Sequence, residues 1–502
     1  MTDPARDLQP LEDRKPWDLL VIGGGANGLG VALDAVSRGY RTLMLERGDF
    51  ACGTSSRSTK LVHGGVRYLE QGRIGLVRES LRERATLLAN APGLVHPIRF
   101  VVPAHSRWER AKLRLGLRLY DRLAPMHSRD ALGRQVTLPP SRTLTAADAV
   151  AVWPGLAAAE LSGAVTFSDA QFDDARLAVA LARRIRSLGG VTLNYAEVVA
   201  VDGDKTGRIV GVQVVDRDPA RAARRVRFHA VRASVVVDAT GAFTEFARRR
   251  VALSRGSHVV LGPEFVRSDH ALLIPRTEDG RVLFAIPWYG RLLVGTTDLT
   301  SDVAEREPRM SEAELSYLLA HIAPYLHREP KRTDVESAWT GLRALLAGDG
   351  GPTSRLSREH GVLETRAGLL SVVGGKWTTY RATAEDVVSR AAEAGGLPPA
   401  PSRTASIQLD GDDVSADSTS RDWIRRMVRE DSARCVADVL ARRSRLLFLD
   451  ARAAESRSRE VAEVLAGELG LTSAWVDEQV REFGRLAAGY LPPGITGTDD
   501  AS

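Results

Sequence analysis

The tightest constraint on this chain lies in residues 17–47, WDLLVIGGGANGLGVALDAVSRGYRTLMLER. Residues 19–22 form a short apolar run that reads as a buried strand. Gly23, Gly25 and Gly28 follow at GxGxxG spacing, and residues 26–37 are apolar at helical intervals. Strand, glycine turn and helix are the parts of a dinucleotide cradle. The first glycine permits the turn, the second lets backbone approach a pyrophosphate, and the third lets helix pack on strand. A second apolar run, 42–45, ends at Glu46, eighteen residues after Gly28 and placed to accept hydrogen bonds from a ribose. The fingerprint alone does not separate a flavin from a nicotinamide dinucleotide.

At 502 residues the chain exceeds one ordinary core, so two or three domains are expected. A charged share of 26% and a hydrophobic share of 44% belong to the soluble globular class. The net charge of +6 comes from scattered arginines, which favours anionic small molecules or a membrane surface. Without a basic stripe interleaved with aromatics, nucleic acid is not an expected partner. Cys52 and Cys435 are the two cysteines, and they fit a reducing compartment. Residues 1–16 are polar and read as a loose cytosolic tail, and no eighteen-residue apolar run is present. The expected place is the cytoplasm, with the inner face of the cell membrane as a peripheral site. No metal-ligand pattern is found.

After Glu46 comes DFACGTSSRSTKLVHGGVRYLEQG, residues 49–72, where hydroxyl residues and glycines suit a segment laid along a pyrophosphate and a flat ring. Here the chain resembles the flavin-dependent glycerol-3-phosphate dehydrogenases, whose SSxSSKLxHGGxRYLE stretch lies against FAD and the substrate pocket. DDARL, RGSHVV, IPWYGRLLVGTTD, WTGLRAL and VVGGKWTTYR follow in the family's order, so the resemblance spans residues 18–381. Departures flank the charged positions: Ala344 follows Arg343 where Pro is usual, Ala242-Phe243 replaces Pro-Trp, and Trp377 replaces Leu.

The fold expected is α/β: a Rossmann-like FAD-binding domain (15–95, 150–255 and 355–397), an inserted mainly antiparallel substrate sheet (96–149 and 256–354) and a C-terminal α-helical domain (403–495). Residues 130–170 read as turns and short apolar pieces, and 167–187 as a helix with Asp173 and Asp174 in its first turn, where they are expected to cap and pair and not to catalyse. Residues 231–243 read as a buried strand ending in Ala239-Thr240-Gly241, and 311–314 as a capping box. Residues 107–123 form a basic amphipathic helix with six cations against two acids, which either packs its Leu and Tyr side inward with solvated arginines or meets anionic lipid.

The resemblance implies FAD as cofactor, held by Gly23, Gly25, Gly28, Glu46, Thr54, Ser55, Ser56, Lys60, His63, Gly64, Gly65, Ala239, Thr240, Gly241, Gly374, Gly375, Lys376 and Thr378. It implies glycerol 3-phosphate as substrate, bound by Arg67, Tyr68, Arg343 and Arg358. Arginine suits the phosphate dianion, at ~1.5–3 kcal/mol for each charged hydrogen bond. Lys376 would stabilise the anionic reduced flavin, and His258 is the candidate base, an imidazole of pKa ~6.5 being suited to proton transfer near neutrality. Thr297 is a weaker contact candidate. The electron acceptor comes from outside, a membrane quinone or, in an oxidase, dioxygen; an anionic membrane surface and a second copy of the chain are further candidate partners. Another flavin enzyme acting on a small acid or amine, or a flavin-binding sensor without turnover, are the competing readings.

Overall fold

The computed structural model describes residues 8–125, 136–221, 227–275, 277, 280–347, 360–411 and 419–494. Two sheets organise them. The first runs Gly361–Arg366, Leu369–Val373, Phe228–Asp238, Trp17–Ile22, Thr42–Leu45, Val191–Leu193; all neighbours are parallel except the first pair. Its central strands are continuous apolar runs because helices cover the sheet, as parallel strands require. Helices Ala26–Ser37 and Tyr380–Gly395 cross so closely that a Cβ on Gly30 would come within 2.8 Å of the Tyr380 ring. The long strand Phe228–Asp238 also pairs antiparallel with Ile209–Asp216.

The second sheet has ten strands, and its longest pairings join Val251–Leu261 to Val335–Leu346 and Val95–Ala104 to Gly163–Phe172, both antiparallel. The latter corrects two expectations. Residues 163–172 are a full strand, where turns and the start of a helix were expected, because GAVTFSDAQF is buried against both neighbouring layers. The helix begins only at Asp174, with the Asp173 side chain capping it through Arg176 N at 3.0 Å. Residues 61–62, 163–172 and 251–255, which lie in segments expected to belong to the FAD-binding domain, pair within the second sheet. The N-terminal tail is less loose than expected, since Gln9–Glu12 is helical and Leu11 is buried; residues 1–7 lie outside the described residues.

Arg421–Asp431, Leu446–Leu449, Ala451–Leu469 and Ser473–Ala488 are the C-terminal helices. Their core is continuous with that of the second sheet, through Phe448 edge-on to Trp339 at 5.4 Å between ring centres. The same junction buries ion pairs. Arg443 and Arg442 hold Asp49, and Lys60 and Arg445 hold Asp174 at 2.7 and 3.0 Å. Burial alone would raise the Asp49 carboxyl, but the two guanidiniums overcome it and push it down to about 2.

Candidate active site

Between the sheets lies a cavity of about 1720 Å³. Its cradle end follows from the glycine turn. Gly23 has φ +105°, and a Cβ there would meet Ala239 O at 2.8 Å; on Gly28 it would strike Gly23 O at 1.8 Å. Gly28 therefore shapes the turn from behind without lining the cavity. Glu46 lines it, but its carboxylate accepts from Gly24 N (2.6 Å) and Gly48 N (2.8 Å); burial raises its pKa, and these amide bonds oppose the rise. Ser55 Oγ accepts from Ala26 N at the helix start (2.9 Å). Asn27 Nδ2 donates to Gly374 O (3.0 Å), joining the fingerprint helix to the Gly374-Gly375-Lys376 turn. The unusual Trp377 also serves here, its indole N–H donating to Ser55 O at 2.9 Å.

The opposite wall is one face of the second sheet. Register places Arg343 beside Ser254, Gly341 beside Gly256 and Trp339 beside His258, with these side chains alternating onto the same face. Across the sheet His258 is followed by Gly295, Phe284 and Leu273. The glycines keep the wall flat: a Cβ on Gly256 would lie 2.2 Å from the Arg343 guanidinium, and one on Gly295 2.2 Å from the His258 ring. Arg343 donates to Thr296 Oγ1 at 3.0 Å and to Ser254 Oγ at 3.3 Å, with Asp298 at 3.7 Å. His258 stacks on Trp339 at 4.1 Å, and its Nε2 faces Thr59 Oγ1 at 3.0 Å. Burial, then the charges of Lys60 and Arg343, push its pKa well below the ordinary value. The ring is therefore neutral at neutral pH. Lys376 Nζ donates to Tyr68 OH at 2.8 Å.

Most of the expected site residues line this cavity: Gly23, Gly25, Glu46, Thr54, Ser55, His63, Gly65, Tyr68, Ala239, Thr240, Gly241, His258, Arg343, Gly374, Gly375, Lys376 and Thr378. Four expected cofactor contacts do not. Besides Gly28, Ser56 is buried with its hydroxyl turned to Gly53 O. Lys60 has φ +63°, which turns its side chain into the wall, where Asp174 and Ser56 O take it. Gly64 is glycine because a Cβ would come within 2.5 Å of Tyr120 OH, which receives its N–H. Thr297 is likewise buried, donating to Glu314 at 3.0 Å. Arg67 stands in the helix Val66–Glu70, and Arg358 lies outside the described residues.

Arg57 is among the lining residues that sequence reasoning missed. Arg57 donates to Cys52 O and Gly53 O and reaches Glu307 (2.6 Å) and Tyr490 OH (3.1 Å). It occupies the variable position of the serine-rich motif, so the motif carries no signal for it.

The FAD dependent oxidoreductase family matches residues 18–381, and the C-terminal domain of alpha-glycerophosphate oxidase matches 377–476. A mitochondrial glycerol-3-phosphate dehydrogenase of Arabidopsis thaliana is 40% identical, the match covering 76% of this chain and 62% of that one. The mitochondrial enzyme of Rattus norvegicus is 34% identical over 96% of this chain and 75% of its own length. Glycerol-3-phosphate dehydrogenase 2 of Mycobacterium tuberculosis is 34% identical, covering 96% and 91%. Among solved structures, the glycerol-3-phosphate dehydrogenase of Bacillus halodurans complexed with FAD superposes with a TM-score of 0.74 at 27% identity, over 96% and 97% of the two chains.

Proposed function

The chain belongs to the FAD-dependent glycerol-3-phosphate dehydrogenases, and from that membership we propose that it oxidises sn-glycerol 3-phosphate to dihydroxyacetone phosphate and passes the electrons to a membrane quinone. The convergence of Arg343, His258 and the Lys376–Tyr68 pair on one cavity with the glycine cradle carries this reading. FAD, when bound, supplies the hydride acceptor. The cradle fits it: Gly23, Gly25 and Gly241 leave backbone open to a phosphate chain, and Gly374, Gly375 and Lys376 meet the far end of the cavity. In this reading the segments carrying the first sheet form the FAD-binding domain and the second sheet the substrate domain.

Arg343 takes the substrate phosphate and so orients the carbinol. The neutral His258 ring accepts the hydroxyl proton on its unprotonated nitrogen. The phosphate dianion placed on Arg343 offsets one of the two cationic charges that disfavour imidazolium, so substrate binding itself makes the base stronger. Lys376 sets positive charge beside the reduced ring. Arg67 and Arg358 are proposed to share the phosphate.

Membrane contact is supported by the basic helix Arg107–Leu123. Its inner face buries Leu117 and Tyr120, as the packing reading expected, while Trp108, Leu115 and Leu119 remain 72%, 73% and 44% exposed on its outer face among the cations. None of the described helices is long and apolar enough to cross a membrane.

The test is spectroscopic. Glycerol 3-phosphate added without oxygen should bleach the flavin band of the purified protein, and a short-chain quinone should restore it faster than dioxygen does. A flavin that stays oxidised would sink the proposal.

A further inference from the structure

The buried carboxylate that takes Lys60 also fixes that residue's neighbour. Ser58 donates to Asp174 Oδ2 through its backbone N at 3.1 Å and its Oγ at 2.7 Å, and Lys60 Nζ donates to the same oxygen at 2.7 Å. Residues 58 and 60 are thus pinned to one group inside the wall, and Thr59 between them lines the cavity. Its Oγ1 lies 3.0 Å from His258 Nε2.

The imidazole has little freedom to present another atom. Trp339 covers one face at 4.1 Å between ring centres, and Gly295 lies so close to the other nitrogen-bearing edge that a Cβ there would fall 2.2 Å from Cδ2 and 2.8 Å from Nε2. Nδ1 is buried and has no hydrogen-bond partner among the described residues. A substrate therefore has no path to Nδ1, and Nε2 is already engaged by Thr59. A neutral imidazole carries its proton on one nitrogen and a lone pair on the other. With the proton on Nε2, the lone pair would be sealed in the wall and the ring could not serve as a base. With the proton on Nδ1, Nε2 accepts the Thr59 hydroxyl and stays in contact with the cavity through it.

Resting on the dehydrogenase reading above, we propose that Thr59 is a catalytic residue that relays the substrate's hydroxyl proton to His258. Spacing along the wall supports this role. The Arg343 guanidinium lies over Gly256, two residues along the strand from His258, or ~7 Å at the ~3.4 Å rise of an antiparallel strand. A phosphate held by Arg343 thus leaves the carbinol of a three-carbon phosphoalcohol within reach of Thr59. The step balances. The substrate O–H bond breaks as its proton passes to Thr59 Oγ1, the proton that Thr59 carried passes to Nε2, and the ring becomes imidazolium. The electron pair of the carbinol C–H bond leaves with its hydrogen as hydride to the flavin, and the carbon is left doubly bonded to oxygen. Thr59 ends as it began.

The experiment uses the flavin-loaded protein. Thr59→Val removes the hydroxyl at nearly constant shape and should slow anaerobic flavin reduction by glycerol 3-phosphate about 10²-fold, with the substrate Kd changed by no more than about threefold. Thr59→Ser keeps a hydroxyl and should return the rate to within about fivefold of the parent. A valine variant as fast as the parent, or a serine variant as slow as the valine one, would overturn the relay. The tautomer gives a test that needs no change at Thr59 and no turnover. In protein carrying isotope-labelled histidine, the nitrogen resonances of His258, assigned by their loss in His258→Gln, should show the proton on Nδ1. A proton on Nε2 would overturn the relay whatever the rates. A parent protein that fails to bleach sinks the dehydrogenase reading itself, whereas a parent that bleaches beside an equally fast valine variant sinks the relay alone.

Discussion

Arg343 and Arg443 are the same residue used in opposite ways. Arg443 is sealed in the junction between the C-terminal helices and the rest, donating to both oxygens of Asp49. Arg343 faces the cavity, donating to Thr296 Oγ1 at 3.0 Å and to Ser254 Oγ at 3.3 Å, with Asp298 at 3.7 Å. A guanidinium sealed away with a carboxylate at close range has little attraction left for a ligand and no path to one, whereas one that lines a cavity can be reached by an incoming anion. The molecule thus separates cations locked in its buried junctions from a cation that lines the cavity. Lys60 belongs with the first kind although its motif suggests the second.

The sharpest way to break this comparison is Arg343→Ala. Losing two charged hydrogen bonds to a phosphate, at ~1.5–3 kcal/mol each, should lower kcat/KM for glycerol 3-phosphate by about 10²- to 10⁴-fold. Thermal unfolding of the variant should barely move, and a large fall in Tm would mean that Arg343 is structural after all. Asp49→Asn should do the reverse. It leaves the buried Arg443 guanidinium without its carboxylate, while Arg442 keeps Asp438 at 2.6 Å, at a cost of about 3–5 kcal/mol in urea unfolding, and the protein that remains folded keeps its KM. A variant as stable as the parent would show that the junction tolerates unpaired charge.

The smallest effect concerns pH. Because burial and two cations hold the His258 pKa well below 6.5, the ring stays deprotonated down through pH 6.5. The limb that His258 contributes to kcat/KM, which reports the free enzyme, should therefore lie below pH 6.5, with none from this ring between pH 8 and 6.5. A limb centred at or above 6.5 would remove His258 from the role of base. Folding has the matching sign. The unfolded chain takes up a proton on this histidine below pH ~6.5 that the folded chain refuses, so stability falls as pH drops through that value.

Sequence reading recovered the cradle well because its determinants are local. Gly28 is forced by its approach to Gly23 O within one strand, turn and helix, and a short spacing reveals it, although the space at Gly23 is closed by Ala239 from far along the chain. It read the motif at 54–65 less well. Ser56 and Lys60 stand among residues that do line the cavity, and only the positive φ at Lys60 turns the side chain to Asp174, 114 residues away. The strand Gly163–Phe172 was missed because its ends give weak signals and its identity rests on a ten-residue pairing with Val95–Ala104.

By itself the sequence determined that a dinucleotide cradle opens the chain and that cationic motifs follow in the order of a flavin dehydrogenase, because turn chemistry and residue spacing act over a few bonds. Tertiary structure alone decided which cations face the cavity and which are locked in its walls. Arg445 meets Asp174 across 271 residues and Arg443 meets Asp49 across 394, and electrostatic partnership depends on distance in space, to which distance along the chain is no guide.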